Sequence, residues 1–211
     1  SSILPYGSAA GPSKPGVNPL RALTAYRPRM NPAEYPGAPA EVHTWADPAG
    51  LKEMVKAIRA LRRKVDALVV NHHWGTSMTH EPREFQREIA HASVDAGADL
   101  VLGGHPHVLQ GVELYKGRPI VYSMGNLIFD FDIPFFTAAS RQTFLFGCTL
   151  ARRKAADPHL LLCRSAVRNA PQPLSPAGPR GRDILRLMER LCAPLGTRLK
   201  PERGRVRVLP A

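Results

Sequence analysis

The sequence predicts an α/β protein in which a parallel strand–helix–strand unit leads into mainly antiparallel strands. Three observations carry that expectation. The short apolar runs Asp66–Val70 and Ala98–Leu102 show no alternation, as expected for strands covered on both faces. A helical period sits between them, so the two strands run parallel. Beyond Leu102, strand-like segments follow one another with no helical period until about Arg182.

The elements follow in order. Prolines at 5, 12, 15, 19, 28, 32, 36 and 39 leave no regular period in the first 40 residues, and 1–46 is expected to be irregular. Asp47 caps a helix that opens on Pro48. Leu51, Met54, Val55, Ile58 and Leu61 form its apolar face, opposite Lys52, Lys56, Arg59, Arg62 and Arg63. After the strand at 66–70 a second helix is predicted from about Pro82 to Asp95, stopped by Gly97. Val108–Tyr115 and Pro119–Ser123 flank Lys116-Gly117-Arg118 as a strand pair. Two further strands are predicted near 142–151 and 160–167, with a charged connection between them. A linker over 171–181, a helix near 182–195 and a short strand near 205–209 complete the chain. The expected division is therefore 1–46, a half-domain over 47–170, and a basic tail over 171–211 packed on it.

The 211 residues suit one good-sized domain, and 44% hydrophobic with 22% charged residues is a globular composition. No apolar run approaches the ~20 residues that a membrane helix needs. The net charge of +12 is unevenly placed: 151–211 holds 14 basic against 4 acidic residues, a net +10, which leaves +2 for the rest. Such a tail can attract a polyanion, but no nucleic-acid motif accompanies it. Cys148, Cys163 and Cys192 fit no metal or redox spacing, and the first two sit in apolar runs as small core residues.

The candidate chemistry lies at strand ends. Gly103-Gly104-His105-Pro106-His107 follows the strand ending at Leu102, and Asn71-His72-His73-Trp74-Gly75 follows the one ending at Val70. Open α/β sheets place ligands at the carboxyl ends of their strands, and neutral imidazole is the commonest metal ligand near pH 7. The glycines are expected to supply the bend that lets His105 and His107 share a site, with Pro106 limiting their movement. His73, His105 and His107 are thus the candidate metal ligands. His72 competes with His73, since an extended strand turns only one of the two inward. His72 and Asn126 are candidates for touching substrate or steadying a ligand from behind. Ser123 and Asp130 are weaker candidates, His80 is held in reserve, and His43, His91 and His159 are ordinary polar residues. No Gly-x-Ser-x-Gly elbow, phosphate-binding glycine loop or dinucleotide fingerprint is present.

Four segments carry a resemblance: His73-Trp74-Gly75, Asp95-Ala96-Gly97-Ala98-Asp99, His105-Pro106-His107-Val108 and Tyr122-Ser123-Met124-Gly125-Asn126. In order and spacing they resemble the CapA-type family of poly-gamma-glutamate capsule biosynthesis, also called PgsA-like, within the calcineurin-like metallophosphatases. The likeness is specific over Asp66 to Asp130 and looser outside. It implies a metallophosphatase-like α/β sandwich with active-site loops at one edge and two divalent cations, commonly manganese, zinc or iron. It places His73 as the isolated histidine ligand and His105 and His107 as the closing pair, each favouring a different cation. Gly104 departs from a frequent histidine at that position. The family's early Asp, its bridging carboxylate and its Asn-His element have no counterpart before Asp66. The chain is therefore expected to be the carboxyl-terminal half of a longer protein, inactive alone, because a two-metal clamp needs anionic bridges.

Two functions follow from the resemblance. The first is a metal-dependent hydrolase of the phosphoesterase type, acting on a phosphoester or an envelope polymer. The second is a non-catalytic accessory protein for making or exporting an anionic polymer, with Arg180, Arg182, Arg186 and Arg190 helping to hold it. Other capsule-synthesis proteins are possible partners, a specific nucleic acid is not, and the family association favours the cell envelope.

Overall fold

The computed structural model describes residues 8–128, 137–166 and 169–211. A hairpin of β1 (Ala22–Pro28) and β2 (Ala40–Ala46) precedes α1 (Pro48–Arg62), β3 (Val69–His73), α2 (Glu84–Asp95) and β4 (Leu100–Gly104). Next come β5 (Val112–Tyr115), β6 (Arg118–Val121), β7 (Gln142–Ala151), β8 (Lys154–Ala166) and β9 (Asn169–Pro173). The chain closes with α3 (Pro179–Cys192), β10 (Thr197–Glu202) and β11 (Arg205–Pro210).

This is a mixed α/β architecture with two main sheets. The first has the order β3-β4-β6-β5, with β3·β4 and β4·β6 parallel and the β5·β6 hairpin antiparallel. The second runs β10-β11-β8-β7, with β9 also paired to β8, and is antiparallel throughout. The expected change from parallel to antiparallel pairing thus falls within the first sheet.

One core joins Leu109, Val112 and Val121 to Phe144, Leu160, Leu162, Val206 and Val208, with Ile184 and Met188 of α3 against them. A second core packs Phe85, Ile89, Ala90 and Val94 of α2 on Trp74, Val101, Ile120 and Tyr122. Asp47 accepts from the Gly50 amide at 2.9 Å and starts α1 as expected.

Several expectations are corrected. Residues 22–28 and 40–46 are paired strands rather than irregular chain, because the prolines fall at a strand end or in the connection while Ala40–Ala46 contains none. The first parallel strand lies at Val69–His73 rather than 66–70, so His72 and His73 belong to the strand. β8 begins at Lys154, immediately after the turn residues Arg152 and Arg153, both at positive φ. The expected linker over 171–181 includes the end of β9 and the start of α3. The tail carries a further strand, Thr197–Glu202, containing Pro201; β10 is an edge strand, where a missing amide donor is tolerated.

Candidate functional site

Parallel register sets the site. It pairs His72 with Gly103 and His73 with Gly104, which brings the carboxyl ends of β3 and β4 side by side. The Trp74 amide donates to the Gly104 carbonyl at 2.9 Å, extending the ladder one step past the strand. Trp74 is fully buried and its Nε1–H donates to the Tyr122 carbonyl at 2.9 Å. A Cβ on Gly103 would lie 2.3 Å from that carbonyl oxygen and 2.4 Å from Trp74 Nε1. Gly103 is required by this close approach.

The bend is made differently from the expectation. Gly103 and Gly104 are still strand residues, while His105 and His107 themselves adopt φ of 105° and 61°. Left-handed backbone at a non-glycine residue costs about 1–3 kcal/mol and persists only where its surroundings enforce it. Here the Met78 amide donates to the Pro106 carbonyl at 2.8 Å and holds the loop.

His73 and His105 meet directly: Nε2 of the first lies 3.0 Å from Nδ1 of the second. His107 sits beside them, its ring centroid 5.6 Å from that of His105. Its Nδ1 faces Asn126 Oδ1 at 2.9 Å, and the Asn126 amide nitrogen donates to the Ser140 carbonyl at 3.1 Å. That second bond fixes the amide's orientation, so His107 Nδ1 donates to Asn126 Oδ1. Ser77, a loop residue with no motif of its own, lies with Oγ 3.2 Å from His105 Nε2.

Burial, reinforced by His73 and then His107, lowers the His105 pKa to about 4. The same effects, burial first and His107 next, hold His73 below the usual histidine range. Both imidazoles are neutral at pH 7 and keep a lone pair for a Lewis acid.

Alternation sends His72 to the opposite face. It is buried, stacked on Trp74 with centroids 4.7 Å apart, and its Nε2 lies 3.1 Å from Ser93 Oγ. Ser93 donates its own proton to the Ile89 carbonyl at 2.8 Å, so His72 must be the donor in that pair. The structure therefore separates His72 from the cluster and places Asn126 against it.

The remaining histidines have ordinary partners. His80 Nδ1 bonds the Leu109 carbonyl at 2.7 Å, His91 meets Glu113 at 2.9 Å, His43 lies near Glu41 and Glu84, and His159 near Asp157. Ser123 donates to the Val108 carbonyl at 2.8 Å within the core. Asp130 lies outside the described residues. Cys163 is buried, whereas Cys148 is only partly so.

A cation bonded to two imidazoles at about 2.0–2.1 Å places their nitrogens roughly 3 Å apart, so the His73–His105 pair suits one such ion. Among the described residues, no group of three or more His, Cys, Asp or Glu is arranged to hold a metal. The donor set fits a single cation on a histidine pair and stops short of a two-metal clamp.

Residues 8–131 match the family model described as Bacterial capsule synthesis protein PGA_cap. The PGA biosynthesis protein CapA of Bacillus subtilis (strain 168) is 42% identical over 83 residues, covering 39% of this chain and 22% of that protein. The capsule biosynthesis protein CapA of Bacillus anthracis is 46% identical over 80 residues, covering 38% and 20%. A Mycobacterium tuberculosis (strain CDC 1551 / Oshkosh) protein named as a probable polyglutamine synthesis accessory protein is 30% identical over 80 residues, covering 38% and 21%. The matched segment spans about a fifth of these relatives' length.

Proposed function

Because the chain belongs to the bacterial capsule synthesis family PGA_cap, we propose that it serves the making of a poly-gamma-glutamate-type capsule polymer through a metal-dependent hydrolytic site on His73 and His105. The observation that carries this is the 3.0 Å approach of two neutral imidazole nitrogens across adjoining strand ends. His73 and His105 would hold a divalent cation, manganese, zinc or iron, and it would supply Lewis acidity toward a phosphoryl or carbonyl oxygen and toward water.

The chain's own residues do the positioning. Asn126 holds the His107 ring with its proton on Nδ1, and Ser77 meets the far nitrogen of His105. A partner behind a ligand, as Ser77 stands behind His105, fixes its tautomer and orientation. A second cation would need bridging carboxylates that the described residues do not bring to the pair. The substrate class is a phosphoester or the anionic polymer itself.

A second reading is favoured by the accessory-protein name of the mycobacterial relatives. In it the protein supports polymer synthesis or export without chemistry of its own, alongside other capsule-synthesis proteins.

Calorimetric titration of the metal-stripped chain with Mn²⁺ tests the site. One equivalent should bind, and His73→Ala and His105→Ala should each abolish it while circular dichroism stays unchanged. Equal binding by all three proteins would refute the site. Cleavage of a phosphodiester or poly-gamma-glutamate by the loaded protein, lost in His73→Ala, would exclude the purely accessory role.

A further inference from the structure

Helix α3 lies outside the family match, and its outer side carries Arg182, Arg186 and Arg190, all exposed. The opposite stripe, Ile184, Leu185, Met188 and Cys192, is buried in the core shared by both sheets, so the arginines are fixed outward. Their spacing of four residues sets them about 6 Å apart along the axis. Nearby arginines are used internally: Arg205 and Arg207 pair with Asp157, and Arg207 also meets Glu202. Among the described residues no ion pair includes Arg182, Arg186 or Arg190, although Asp183 and Glu189 share the exposed side. Arg182 spends one donor on the Ala177 carbonyl at 2.9 Å, which steadies the first member of the row.

Residues 151–211 contain no Phe, Trp or Tyr, and single-stranded nucleic acid is held largely by bases stacked on aromatics. Arginine forks match a planar carboxylate, two N–H groups to two oxygens. Repeat length adds a second argument. A γ-linked glutamyl unit has five main-chain bonds where an α-linked one has three. Scaling the extended rise accordingly gives ~6 Å per carboxylate, the pitch of the arginine row.

We infer that Arg182, Arg186 and Arg190 form a docking row for an extended polycarboxylate chain. The polymer's identity rests on the capsule role proposed above; the row itself rests on the helix. The test measures poly-gamma-glutamate binding to the full chain by fluorescence anisotropy at low and moderate salt. The triple variant Arg182→Gln, Arg186→Gln, Arg190→Gln should weaken binding roughly tenfold or more and flatten its salt dependence. The control Lys52→Gln, Arg59→Gln, Arg63→Gln removes the same charge from exposed positions of α1 and the residue that follows it, and should bind as the parent does. Equal losses in both variants would reduce the effect to net charge and overturn the row. Tighter binding of duplex DNA or anionic vesicles, with the same dependence on the three arginines, would overturn the polycarboxylate assignment. No polymer binding while His73 and His105 still take up Mn²⁺ would defeat this inference and leave the metal site standing.

Discussion

His105 holds an uncommon backbone conformation, φ 105°, at the point where its ring meets His73. Strain of that kind costs about 1–3 kcal/mol, and glycine relieves it where alanine does not. His105→Gly should therefore be more stable than His105→Ala by about 1 kcal/mol in urea unfolding, reversing the usual order of the two residues. Equal stabilities would mean that the histidine is not strained. Ser77→Ala should leave the far nitrogen of His105 without its partner and weaken Mn²⁺ binding about 10- to 100-fold, by the same calorimetry, with little change in melting temperature.

Burial lowers the His72 pKa from 6.5 to about 3. As pH falls below 6.5 the unfolded chain takes up a proton that native His72 refuses, so stability present above 6.5 is lost toward pH 3. His105 adds to the loss down to about 4. His72→Phe should flatten the dependence of the urea midpoint on pH in that window, and an unchanged slope would count against it. The histidines were legible because the motif is dense and sits at strand ends. Ser77 was not, since a lone serine in a loop carries no periodic signal, and neither was the backbone, which places the strain on histidines rather than on the glycines before them.

Among the elements, Asp99 ties the strand–helix–strand unit together. It is buried, accepts from Arg62 at 2.6 Å, Arg118 at 2.9 Å and the Leu68 amide at 2.9 Å, and so joins α1, the approach to β3, β4 and β6. Removing one member of a buried charge cluster leaves the others uncompensated. Asp99→Ala should lose about 3–5 kcal/mol in urea unfolding, and a loss near zero would show the cluster to be dispensable. The helices were readable to within a few residues because α1 has an aspartate cap followed by proline and both α1 and α2 keep a clean apolar stripe. β3 was misplaced by three residues because Asn71, His72 and His73 look like loop chemistry. Their pairing with Leu102, Gly103 and Gly104 of β4, distant in sequence, makes them strand. The β1·β2 hairpin was hidden for a similar reason. Its support is tertiary: the Thr44 and Ala46 amides donate to Glu84 and Glu88 of α2, both at 2.7 Å.

At the scale of the molecule, charge and chemistry are separated. The clustered histidines sit in the near-neutral first 150 residues, while 151–211, which contains α3 and much of the antiparallel sheet, holds a net +10. No helix among the described residues is long and apolar enough to cross a membrane. The order of elements was legible from the switch in hydrophobic period, but the sharing of one core by both sheets and α3 depends on long-range pairing that no local window contains. Everything proposed about chemistry depends on one cation shared by His73 and His105. X-ray absorption at the zinc edge, on the chain loaded with one equivalent of Zn²⁺, addresses that directly. At least two imidazole nitrogens should appear at about 2.0–2.1 Å, with one lost in His73→Ala; an all-oxygen shell indifferent to that substitution would contradict it.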